Sequence, residues 1–221
     1  MNKNRLDRMV LKESMPDMFI RFYLVGLLLF MIPFTRGFFV AITSLSLLLV
    51  IGAIFVFHTN WNVKTIVWFT FIFISAFFVE MAGTHTGEIF GEYHYGKGLA
   101  PLINGTPLII GLNWLFLTYA SHDISRLLSS RPWLRILLGA LLMVAYDLIL
   151  EWVAPSMQMW QFASGYPPFK NFLVWFFIAI AYHSGFEILD IRSDNRPARA
   201  LFVIQMCFFV IIGLYSLIFI S

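Results

Sequence analysis

The sequence predicts an all-α integral membrane protein: a bundle of about seven transmembrane helices, with its N-terminus cytoplasmic and its C-terminus outside. Three observations predict it. The 221 residues are 60% hydrophobic and only 12% charged, about half the charge fraction of an average soluble domain. The apolar residues fall in blocks of the roughly 20 residues that a helix needs to cross a bilayer. The lysines and arginines gather in alternate loops, as the positive-inside rule requires of a multi-pass chain.

In chain order, the apolar blocks place spans at 18–34, 37–58, 64–82, 107–125, 133–154, 170–189 and 198–220. Pro33, Pro107, Pro132, Pro155, Pro168 and Pro197 mark boundaries, because a proline ring breaks a helix interior but suits its first turn. Residues 1–17 read as a cytoplasmic segment ahead of a single transmembrane domain, 18–221. In that segment Leu6, Met9 and Val10 recur at helical spacing, which suits a short interfacial helix. No small-residue cleavage site follows the first apolar run, so no removed signal peptide is expected. With the N-terminus inside, twelve of the 15 lysines and arginines are cytoplasmic, leaving Arg36, Lys97 and Lys170 on the other side. The formal net charge of +3 therefore reports orientation rather than nucleic-acid binding. The single cysteine, Cys207, excludes an intrachain disulfide and reads as a small buried hydrophobe.

Chemistry concentrates where the oil stops. Thr65 to Val79 carries no charge, and then Glu80 to Gly96, EMAGTHTGEIFGEYHYG, brings three glutamates, two histidines, two tyrosines and two threonines. Glycines recur there at 83, 87, 91 and 96. In a helix they allow close approach, and in a loop they allow unusual backbone angles. The topology places Glu80 at the outer end of span three, and Asp147 and Glu151 in the outer half of span five. Asn113 and Trp114 fall in the outer half of span four, and Asn171 opens span six. Polar groups from four spans and two outer loops thus share one depth.

A carboxylate inside the hydrocarbon costs about 2.5–3.5 kcal/mol on insertion scales, so it is functional by default. Asp147 follows eleven uncharged residues, Ile136 to Tyr146, and Glu151 lies one turn further along the same helix face. Two carboxylates so close in a poor dielectric do not both ionise readily, and a neutral carboxylic acid there is a proton donor. The competing reading is that these acids only tie helices together. Glu88, Glu92 and His94 read more simply as solvated surface groups. Trp114, Trp152, Trp160 and Trp175 all fall at the outer end, either as an interfacial belt or as the walls of a groove for a long apolar substrate.

The pattern E-x-x-G-T-x-T-G-x-I-F-G-x-Y-x-Y from Glu80 to Tyr95 resembles a carotenoid-biosynthesis membrane family that includes acyclic carotenoid 1,2-hydratases and bisanhydrobacterioruberin hydratases. The resemblance continues through Leu99 to Pro101, Gly105 to Leu108 and Trp114. It returns at Asp147, Glu151, Pro155, Trp160, Gly165, Pro167, Asn171-Phe172 and Trp175, covering about 80–180. The chain departs from the family pattern with Glu151-Trp152 in place of Asp-Pro and Phe162 in place of tryptophan, which bears on the substrate more than on the reaction. The resemblance implies addition of water to the C1=C2 double bond of an acyclic carotenoid end. Asp147 or Glu80 would act as the acid, Glu151 as partner or base, and Asn171, Tyr93 and His85 would position water. Asn113, Trp114, Trp160 and Trp175 would contact substrate. It implies no cofactor and no metal. The partners would be an acyclic or monocyclic carotenoid, water and the lipid bilayer, with no nucleic acid, and a homo-oligomer is compatible with it. The place would be the inner membrane of a bacterium or archaeon.

Four alternatives compete. A cofactor-free lycopene-cyclase-like enzyme would protonate the same kind of end but trap the cation with carbon. A small transporter or lipid-binding scaffold would use the cluster as an ion site, although repeated halves, common in transporters, are missing. A di-iron hydroxylase would need paired histidines, whereas His58, His85, His94, His122 and His183 form no such motif. A retinal protein would need a lysine in the last span, and no lysine follows Lys170.

Overall fold

The computed structural model describes residues 3–220, with side chains described at 11–52 and 55–220. Seven helices carry the chain: α1 (Lys3–Met31), α2 (Pro33–Phe55), α3 (Val63–Thr86), α4 (Ile109–Leu128), α5 (Pro132–Val153), α6 (Phe169–Ile188) and α7 (Arg196–Phe219). Four short strands sit at one end of the bundle: β1 (Tyr93–Tyr95), β2 (Leu102–Ile103), β3 (Thr106–Pro107) and β4 (Trp160–Phe162). The protein is an all-α membrane bundle. Among the described residues six helices, all but α4, are long and apolar enough to span a bilayer.

α4 differs because of where it sits. It packs against α3, α5, α7 and α2, and most of its residues are buried, Ser121, His122, Asp123 and Ser125 among them. A helix surrounded by protein answers to its neighbours rather than to lipid, so its composition is free to be polar.

The helix ends follow local chemistry. Asn62 caps α3, its side chain accepting from the Thr65 amide at 3.0 Å. Gly87 closes the same helix in the left-handed region at φ 66°. Asn195 caps α7, and Pro197 stands in its first turn. α1 and α2 are separated by Ile32 alone, and Thr35 and Arg36 of α2 donate back to the Leu29 and Phe30 carbonyls at 2.8 and 3.0 Å. α1 runs unbroken through Pro16, so the backbone of residues 3–17 continues into the first span as one element. The side chains of Leu6, Met9 and Val10 lie outside the described residues. Cys207 is a correction: it is exposed on the outer face of α7, where its neighbours would be lipid, instead of buried.

α5 is the hub, packed on α6, α4 and α7, while α1 lies against α7 and α2. A buried polar chain runs from α5 through α7 to α1: Tyr146 donates to Gln205 Oε1 at 2.7 Å, and Gln205 donates to the Tyr23 hydroxyl at 2.6 Å. The strands are the element that helical periodicity could not announce. β1 and β4 pair antiparallel, with Tyr93 opposite Phe162, His94 opposite Gln161 and Tyr95 opposite Trp160. This zips the two long loops together over the helix ends. β2 and β3 form a separate hairpin turned by Asn104 and Gly105 at φ 47° and 75°.

Candidate functional site

Strand alternation decides which loop side chains face inward. Tyr93, Tyr95, Trp160 and Phe162 are buried, while His94 and Gln161 between them point out. The two tyrosines reach down onto Glu80, itself 4% exposed. Tyr93 and Tyr95 donate to Glu80 Oε2 at 2.6 and 2.8 Å, and Trp114 Nε1 donates to Oε1 at 2.8 Å. Gly83 makes the fold-back feasible: a Cβ there would stand 2.6 Å from the Phe90 ring and 3.3 Å from the Tyr93 hydroxyl. Burial, and then the neighbouring Glu80, hold both phenols well above the usual tyrosine range. They therefore remain hydrogen-bond donors.

Asp147 and Glu151 face the same space from α5, one turn apart. Asn171, at the start of α6, bridges them: its Nδ2 donates to Asp147 Oδ2 at 2.9 Å and to Glu151 Oε1 at 3.3 Å. Trp160 Nε1 of β4 donates to Glu151 Oε2 at 2.9 Å. Asp147 is 0% exposed, and its Oδ1 is buried with no hydrogen-bond partner among the described residues. No ion pair involves these three acids among the described residues.

All three acids line one cavity of about 20 Å³, together with Tyr93, Tyr95, Trp160, Asn171 and Trp175. That is room for about one water molecule, and the lining offers it several polar partners. Trp175 stacks on Trp114 at 3.8 Å between ring centroids, so an aromatic wall stands beside the acids. The remaining walls, Phe90, Ile110 and Phe162, are apolar.

Of the residues singled out from the sequence, the structure brings Glu80, Asp147, Glu151, Tyr93, Trp160, Asn171 and Trp175 to this cavity. Trp114 touches it through its bond to Glu80. Asn113 lies next door, in a cavity of about 10 Å³ that also borders Tyr146, Met159 and Trp160. His85 stands apart: it is exposed, and its Nδ1 is 2.7 Å from the Met81 carbonyl of its own helix. Glu88, Glu92 and His94 are exposed as well. Among the described residues no group of three His, Cys, Asp or Glu is arranged as a metal site. Tyr95 was overlooked in the sequence, although the Tyr-x-Tyr period was the signal that both phenols share one face of a strand.

A multi-pass helical membrane protein with buried acids under an aromatic lid is the class that fold and site define. The chain belongs to the carotenoid biosynthesis protein family, whose model matches residues 38–220. That match extends well beyond the 80–180 stretch that carries the motifs and takes in most of α2 and all of α3 through α7. Neither a curated protein nor a solved structure matches the chain.

Proposed function

We propose that the protein is a carotenoid 1,2-hydratase, with Asp147 as the proton donor. The observation that carries this reading is the division of labour among the acids around a water-sized cavity. Glu80 has both oxygens engaged by three donors, the pattern of an acceptor-only carboxylate. Asp147 keeps one oxygen bare in the protein interior. An ionised oxygen left so would be expensive, whereas a carboxyl O–H there has a proton to give.

The chemistry balances without an oxidant. The Asp147 proton adds to C2 of the terminal double bond, leaving a tertiary cation at C1. A water in the cavity forms the new C–O bond at C1, and its proton passes to Glu151. Asn171, bonded to both carboxyls, holds them in register while the proton returns from Glu151 to Asp147. Glu80 supplies negative charge, and Trp175 a π-face, where the cation develops. The product is a tertiary alcohol.

Expression in a lycopene-producing bacterium tests this. The expected products carry one or two added waters, with oxygen label taken from heavy water. Label from dioxygen would select a hydroxylase, and a ring-closed product of unchanged mass would select a cyclase. Either result refutes the hydratase.

A further inference from the structure

The acid cavity has room for a water but not for the end of an isoprenoid, so the reacting end must arrive from a larger space. We infer that an apolar groove between α1, α2 and α7 binds the polyene stem of the substrate, and that the reacting end passes Met159 and Trp160 to the acids. What happens at the acids rests on the hydratase reading, whereas the binding itself does not.

The groove has a volume of about 130 Å³ and aromatic walls from Tyr23, Phe39, Phe208 and Phe209. It follows α1 from Phe22 to Leu29, about 10 Å along the helix axis. Its rim is open to the bilayer, with Phe22 41% and Val25 55% exposed, so a lipid-dissolved molecule can enter from the side. Gly26 of α1 and Ser46 of α2 are among its small lining residues. A Cβ on Gly26 would meet Phe208 and Phe39 at 3.4 and 3.5 Å, ordinary contact, so a side chain that starts there leaves the helix without a clash and runs against the groove's rings.

The groove neighbours the acids by way of shared walls. The small cavity beside Asn113 has Leu47, Met159 and Phe209 in common with the groove. On its other side it has Ile110 and Trp160 in common with the acid cavity. Met159 is 3% exposed, and an unbranched thioether is the side chain best able to step aside for a passing chain. Trp160 is held by Glu151, so the arriving end meets the acids at the point where this indole is fixed.

A second apolar space, of about 370 Å³, lies on the other face of α2 against α4 and also borders the small cavity through Leu99 and Ile109. It is the larger of the two but is walled mainly by aliphatic residues such as Leu45 and Leu48, a match for an acyl chain. The aromatic groove is the match for a conjugated polyene, whose flat face stacks on rings.

The test measures binding. Protein purified in detergent from lycopene-producing cells is passed over size exclusion, and bound lycopene per protein is read by absorbance. Ser46→Trp fills the aromatic groove, Ala41→Trp fills the aliphatic one, and Leu141→Trp places an indole at an exposed position of α5 away from both. The expected result is about tenfold less bound lycopene in Ser46→Trp, with Ala41→Trp and Leu141→Trp equal to wild type. Gly26→Leu narrows the groove from α1 and reads the same wall if Ser46→Trp elutes as aggregate. Equal binding in the groove variants, loss in Ala41→Trp alone, or no lycopene on the wild type overturns the groove. Lycopene held by the wild type and released by Ser46→Trp, with no hydrated product formed, would keep the groove and remove the hydratase.

Discussion

Asp123 and Asp147 are buried to the same degree, 2% and 0% exposed, at opposite ends of the bundle. Their surroundings share little else. Asp123 Oδ1 accepts from Ser193 at 2.9 Å, and Oδ2 accepts from the Asn195 amide at 3.0 Å and from Arg199 at 2.6 Å. Both oxygens are satisfied and the charge is paired. Around it, the Tyr119 hydroxyl lies 3.0 Å from His58 Nδ1 and accepts from Asn195 Nδ2 at 3.2 Å. Among the described residues Asp147 has a single neutral donor on one oxygen and none on the other. A buried acid that is fully bonded and paired with a cation fixes helices in place. One left partly bonded among other acids holds chemistry in reserve. The saturation of its bonds, more than its depth, separates a lock from a reagent.

The sharpest way to break this contrast is to make the two ends respond alike. Asp147→Asn keeps the shape and an acceptor for Asn171 but removes the transferable proton. Hydration in lycopene-producing cells should fall about 10³-fold, within the usual reach of general acid catalysis, while expression and elution stay as in wild type. Activity above a tenth of wild type would take the acid role from Asp147. Asp123→Ala should do the reverse. It leaves Arg199, 19% exposed at its side chain, without its buried partner. The cost is about 3 kcal/mol, the low end for a broken buried pair because the cation is partly wetted. Thermal aggregation in detergent should shift to lower temperature, and turnover per folded molecule should hold. A large turnover loss without destabilisation would place chemistry at the wrong end.

The comparison also marks how far the sequence could be read. The helices were legible, with α5 predicted at 133–154 and found at Pro132–Val153, because apolar blocks and prolines report spans directly. The acids were legible because charge inside such blocks demands a reason. The lock at Asp123 was not. Its partners Ser193, Asn195 and Arg199 lie about 70 residues away and read locally as a basic loop. The β1–β4 zipper escaped for a similar reason: strands of three residues carry too little alternation to register, and only the fold brings loops 83–106 and 155–170 together. His183 became a satisfied core group, its ring nitrogens bonded to Ser121 Oγ at 3.0 Å and the Ala179 carbonyl at 2.8 Å, whereas His58 is bonded to Tyr119 at 3.0 Å through Nδ1 and its buried Nε2 has no hydrogen-bond partner among the described residues. His122 is buried without a hydrogen bond among the described residues, its Nε2 3.6 Å from Glu187.

Smaller changes probe how the lid tunes the acids. Glu80→Gln retains one carbonyl oxygen for three donors and loses the charge that the proposed mechanism sets against the cation. Hydration should fall about 10²-fold, or about 2.7 kcal/mol of barrier, with substrate binding unchanged. Tyr95→Phe is the finest cut. It removes one of the two phenols on Glu80 Oε2 but leaves Tyr93 at 2.6 Å and Trp114 on the other oxygen. A hydrogen bond to a charged group contributes about 1.5–3 kcal/mol. The remaining donors take up part of that loss, so the expected drop is about tenfold in product formed per protein. The phenylalanine ring still fills its place opposite Trp160 in the zipper, so detergent stability should be nearly that of wild type. If Tyr95→Phe instead unfolds the protein while sparing turnover, the phenol belongs with Ser193 and Asn195 as part of a lock. The contrast between the two ends would then have to be drawn between individual bonds of one network.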